Sequence, residues 1–170
     1  MTKQSEDSFE KNNQKYFDEK KFRTIIIGKD GIKDTGDLKD AIDEIAEGKL
    51  LPEEREALLA KIKASNPEKA LLKVVSSVKD KTKKARLISI YWEIGLDCTS
   101  DFLFFVKQAC EGDYMIAMEC LTVIETIESE ILSADLKAAQ QLLTETINSN
   151  PESAPMLEEI LVWVEERIQG

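Results

Sequence analysis

In "YWEIGLDCTSDFLFFVKQAC", residues 91 to 110, one apolar helical pattern stops at Gly95 and another is under way by Ser100. The stretch holds Tyr91, Trp92, Phe102, Phe104 and Phe105, in a chain with only 6 Phe, 3 Tyr and 2 Trp. On a helix begun near Ser100, Phe102, Phe105, Val106 and Ala109 share one stripe, with Leu103 and Cys110 beside it. Apolar residues at three- and four-residue spacing mark a core-facing side. Phe104 falls off that stripe, beside Lys107, Gln108 and Glu111. In the preceding helix, Leu87, Ile90, Tyr91 and Ile94 form one face, while Ala85, Ile88, Trp92 and Leu96 form another. A helix apolar nearly all round is buried on two sides, which places Trp92 in the core and the helix inside a stack.

The same grammar extends outward. Upstream, Leu38, Ala41, Ile42 and Ile45 make a stripe closed by Gly48, and Pro52 opens a second helix carrying Ala57, Leu58 and Ile62. Pro is tolerated at the first helical position because its missing N–H would be unpaired there anyway. Asn66 is the expected cap of a third helix, with Pro67 and Glu68 in its first turn. Downstream come "DYMIAMECLTVIETIESEIL", then "ADLKAAQQLLTETI" behind Ser133, then "SNPESAPMLEEILVWVEERI" with an expected cap at Asn150-Pro151. Connections of a few residues force neighbouring helices to pack antiparallel as hairpins. First helices are expected near residues 37, 67, 100 and 134, and second helices near 53, 82, 114 and 152. Their spacing of about 30 to 40 residues is that of a stack of two-helix units.

Ahead of these helices, residues 1–21 are polar and aperiodic and read as a disordered or loosely attached tail. Residues 22–36, with Ile25, Ile26 and Ile27 before Gly28, read as an extended segment and turn. Residues 37–170 make the helical-repeat domain.

The phrases "ARLISIYWEIG" and "AMECLTVIETI", which place apolar residues in register between 87–94 and 120–127, resemble degenerate HEAT or armadillo-type repeats. The resemblance covers 67–169 well and 37–64 loosely. The usual Pro in the first helix and the Val-Arg pair opening the second are mostly absent, as are the marks of the tetratricopeptide family. The resemblance implies an all-α fold, an α-α superhelix of about four antiparallel helical hairpins. It also implies binding of other proteins on a curved face.

Composition narrows the chemistry. The 170 residues contain no histidine. Without imidazole there is no Ser-His-Asp or Cys-His nucleophile, no His-ligated metal and no general base of the usual kind. A non-catalytic protein is therefore expected. Only a carboxylate- or cysteine-dependent enzyme is left as a catalytic alternative, with Cys98, in a loop before a helix start, as its thiol. Cys98, Cys110 and Cys120 show neither disulfide nor zinc spacing. Asp30, Asp34 and Asp37 lack calcium-loop spacing, and no Gly-rich phosphate loop occurs, so no metal or cofactor is expected. No apolar run is long enough to span a membrane and the start lacks a secretory core, which points to the cytoplasm.

The net charge of −10 is unevenly distributed. Residues 85–170 hold Arg86, Lys107, Lys137 and Arg167 as their only cations, against carboxylates throughout. Such a surface repels phosphate backbones and attracts basic partners. The glutamates Glu158, Glu159, Glu165 and Glu166, with the off-stripe aromatics Phe104 and Trp163, are the candidate partner-binding residues. The basic run Lys79, Lys81, Lys83, Lys84 and Arg86 is expected to cap the negative end of the third helix. The functional expectation is a domain that binds a basic protein. By analogy with small acidic helical proteins that neutralise basic toxins or nucleases, an immunity-type inhibitor is the alternative.

Overall fold

The computed structural model describes residues 35–169. The expectations for residues 1–21 and 22–34 lie outside the described residues. Among the described residues the fold is all-α, without strands. The helices are α1 (Thr35–Glu47), α2 (Pro52–Lys63), α3 (Glu68–Ser77), α4 (Lys81–Ile94), α5 (Phe102–Glu111), α6 (Tyr114–Glu125), α7 (Ser133–Ile147) and α8 (Ala154–Gln169). A single 3-10 turn, Thr99–Asp101, leads into α5.

Packing follows chain order. α1 pairs with α2, α3 with α4, α5 with α6 and α7 with α8, giving four hairpins. Beyond these pairs, contacts join only adjacent hairpins: α1 with α3 and α4, α2 with α4, α4 with α6, α5 with α7 and α8, and α6 with α8. The second helices thus form an unbroken layer α2–α4–α6–α8. The layer of first helices is interrupted, because the backbones of α3 and α5 do not come close to each other.

The core follows the expected stripes. Leu87, Ile88, Ile90 and Tyr91 of α4 are buried, as are Phe102, Phe105, Val106 and Ala109 of α5. The Tyr91 and Phe105 rings meet edge to face at 4.9 Å and so join the second hairpin to the third. Trp92 departs from expectation: it is 40% exposed. Its indole N–H donates to Glu119 Oε2 of α6 at 2.9 Å, and an indole that needs an acceptor settles at a wet edge more readily than in a dry core.

Both Asn-Pro steps also differ from the expected caps. Asn66 adopts φ +48, a left-handed turn that precedes α3, and Pro67 takes the cap position. Asn150 lies before α8, and its side chain donates to Cys110 O at 3.3 Å and Gly112 O at 3.2 Å. Asn tolerates left-handed backbone and finds local or distant acceptors equally well. α6 stops at Glu125, short of the expected run. The Arg167 guanidinium takes the Ile127 carbonyl at 3.3 Å, and Thr126 turns its hydroxyl back onto Val123 O at 2.7 Å.

Candidate protein-docking surface

The last helix, α8, is built with two opposed sides. Leu157, Ile160 and Val164 are fully buried against α6 and α7, spaced at three and four residues. The opposite side carries Glu158, Glu159 and Glu166, all exposed, and Glu165, half-buried. Val162 stands between them and is 52% exposed. On a helix, residues three and four away on either side are surface neighbours. Those four neighbours of Val162 are the four candidate glutamates, so an exposed apolar spot is ringed by carboxylates. Glu165 is held in place by Gln140 Nε2 of α7 at 3.2 Å.

Beside this ring, the turn after α6 and the end of α8 enclose a cavity of 470 Å³. Glu128, Glu130 and Glu166 supply its carboxylates and Arg167 its one cation among the lining residues. Leu132, 73% exposed, projects next to it in sequence. Arg167 is already engaged: it donates to Ile127 O and lies 3.4 Å above the Trp163 ring. A guanidinium over an indole face is attracted by the ring quadrupole, and no ion pair joins Arg167 to the three carboxylates among the described residues.

Trp163 and Phe104 are both half-buried. Trp163 stacks on Phe102 at 5.7 Å on one hand and carries Arg167 on the other. Phe104 meets Phe105 edge to face at 5.3 Å. The structure therefore brings the four glutamates together, but places the two aromatics within packed ring contacts. The strongly exposed apolar side chains are instead Leu132, Leu51, Val162 and Met115, with Tyr114, Trp92 and Ile168 less so. Val162 was detectable in the sequence as an apolar residue off the core stripe. Leu132 was hidden inside a run that reads as helix.

The thiols sit in a different environment. Cys98 is buried, and burial first, then the nearby Asp101 and Asp97, pushes its thiol up to about 12. Burial likewise raises Cys110 and Cys120. A thiol protonated at neutral pH is a poor nucleophile. Among the described residues, no group of three or more Cys, Asp or Glu side chains is arranged to hold a metal ion, and no helix is long and apolar enough to cross a membrane. A scan of protein-family models, of curated proteins and of solved structures finds no match to this chain.

Proposed function

We propose that this chain is a non-catalytic docking domain, a short and degenerate HEAT- or armadillo-type α-solenoid, whose last hairpin receives a basic protein. The observation that carries the reading is the exposed Val162 inside its ring of Glu158, Glu159, Glu165 and Glu166. An apolar contact rimmed by charge of one sign suits a partner segment that alternates Lys or Arg with aliphatic residues. The carboxylates would speed encounter and select sign, and the apolar centre would hold the complex. Trp163, on the same helix, enters the proposal as a half-buried contact, and Phe104 as a second, half-buried candidate on α5. The strictly hairpin-to-hairpin packing supports the solenoid reading, because repeat arrays touch only their neighbours.

The test uses a synthetic amphipathic helical peptide, with leucine at three- and four-residue spacing and lysine elsewhere, titrated into the full chain by calorimetry. Affinity should fall at least about tenfold when salt is raised from low to several hundred millimolar. Replacing Glu158, Glu159, Glu165 and Glu166 together by Lys should remove binding. Affinity indifferent to both changes would show that the acidic side of α8 is solvated surface only.

A further inference from the structure

The junctions between hairpins are not fastened alike. At the first, Arg86 of α4 donates to Ala46 O at 3.1 Å and Glu47 O at 3.0 Å, at the end of α1. At the last, Asn150 donates to Cys110 O and Gly112 O, Ser153 to Gly112 O at 3.2 Å, and Arg167 to Ile127 O. Each of these ties a side chain to a turn carbonyl of the hairpin before it. The middle junction has no such tie among the described residues. It is also where the backbones of α3 and α5 stay apart, and a cleft of 340 Å³ lies between the two hairpins.

The walls of that cleft are unlike the rest of an acidic molecule. Lys79, Lys81 and Lys84 face it from the α3–α4 turn and α4, and Glu111, on the far wall, is its one acidic lining residue. Lys81 is shared with Asp113 at 3.8 Å. Lys84 Nζ has a neutral partner, Gln108 Oε1, at 2.8 Å. Lys79 makes no ion pair or hydrogen bond among the described residues. Gln108, only 9% exposed, has its amide nitrogen without an acceptor among the described residues. Ser76 and Ser77 turn their hydroxyl hydrogens back onto Leu72 O and Val74 O, which leaves their oxygens, not their protons, toward the space. Two ammonium groups lacking a carboxylate partner and one amide donor thus border a partly enclosed volume. Charges facing such a space are stronger than on open surface.

We infer that the cleft between the second and third hairpins binds a small dianion, a phosphate or a dicarboxylate, held by Lys79 and Lys84 with the Gln108 amide as a third donor. Two charges on the ligand match the two ammonium groups that have no carboxylate partner. The site is separate from the acidic side of α8 and does not depend on its role. Because its walls come from two hairpins, occupancy would add a bridge at the one junction that lacks a side-chain-to-carbonyl tie, beside the Lys84–Gln108 and Trp92–Glu119 hydrogen bonds already there.

Inorganic phosphate and glutarate, titrated separately into the full chain, decide between the two acids by calorimetry and by thermal shift. Binding to the native state alone must raise the melting temperature. A Lys79→Met/Lys84→Met double variant should weaken the bound anion at least about tenfold, while Glu111→Gln, which removes the opposing carboxylate, should tighten it a few-fold. Lys61→Met, on the distant α2, serves as the control for net charge. Failure of both anions to bind overturns the inference, and so does binding that survives the double substitution with the melting curve of the free protein unchanged.

Discussion

The first and last junctions do the same mechanical task with different chemistry. Between the first and second hairpins the ties are ionic. Arg55 of α2 forms a two-pronged pair with Glu93 of α4 and reaches Ser89 at 3.3 Å, and Lys83 pairs with Glu47. Between the third and fourth hairpins the ties are aromatic and neutral polar. Phe102 stacks on Trp163, and the fully buried Ser153 joins Asn150 on the α5–α6 turn. The difference follows from composition. The first hairpin buries Leu38, Ile42, Ile45, Leu58 and Ile62, about as many large aliphatic side chains as the last, but its described residues include no aromatic ring, and charged groups stand at its edge where the last hairpin has Trp163. Exposed ion pairs contribute little each, whereas aromatic burial contributes several kcal/mol per ring. The stack is therefore expected to fray from its first hairpin and to persist at its last.

The largest test of that comparison lies between the two, at Phe105. It is fully buried and links Tyr91 of the second hairpin to the third. Phe105→Ala should cost about 3–5 kcal/mol in denaturant unfolding; a loss below about 1 kcal/mol would mean the middle of the stack is not packed as described.

A smaller effect is expected at the first junction. Gly48 has φ +66, and a Cβ there would meet the Arg86 guanidinium at 2.3 Å. Gly48→Ala should cost about 1–2 kcal/mol, and Arg86→Ala a similar amount through the Ala46 and Glu47 carbonyls it leaves behind. Because both act through one contact, the double variant should lose clearly less than the two singles added. Strict additivity would refute the tie.

Acid should separate the two ends further. Burial pushes the Glu93 carboxyl up, but hydrogen bonds from Arg55 and Ser89 outweigh it and hold the group below the usual carboxylate range. A carboxyl depressed on folding adds stability above its unfolded value, and that stability is lost as pH falls through the folded one. Protection of the α2 amides, measured relative to intrinsic exchange at each pH, should therefore fall on acidification through and below the carboxylate range, while α8 responds less. Glu93→Gln should flatten the α2 response; an unchanged α2 profile in that variant would show that the pair does not fasten the junction.

The smallest expected change has the opposite sign. The Tyr91 hydroxyl is buried and has no hydrogen-bond partner among the described residues. Removing an unsatisfied buried group relieves its desolvation cost, so Tyr91→Phe should leave stability unchanged or raise it by up to about 1 kcal/mol. A clear destabilisation in thermal melts would reveal a partner for that hydroxyl.

The eight helices of the described residues and their pairing were legible in the sequence. Their starts at Pro52, Lys81, Tyr114 and Ser133 fall within a residue of the expected positions, because apolar spacing and turn residues are local signals and short links leave a neighbour little choice but to fold back. The ring of glutamates was equally legible, since neighbours three and four apart on one helix need no tertiary knowledge. How the basic run is divided is settled in the fold alone. Lys83 and Arg86 turn back to α1, while Lys81 and Lys84 reach forward to the third hairpin. That division depends on which helices flank α4, and a charge selects its partner by distance in space, to which the order of residues along one helix is blind. For the same reason Trp92 reads as core in the sequence and lies partly in water in the fold: Ile88 and Leu96, one turn away on either side, are apolar, but the acceptor that its indole N–H finds, Glu119, lies on another helix.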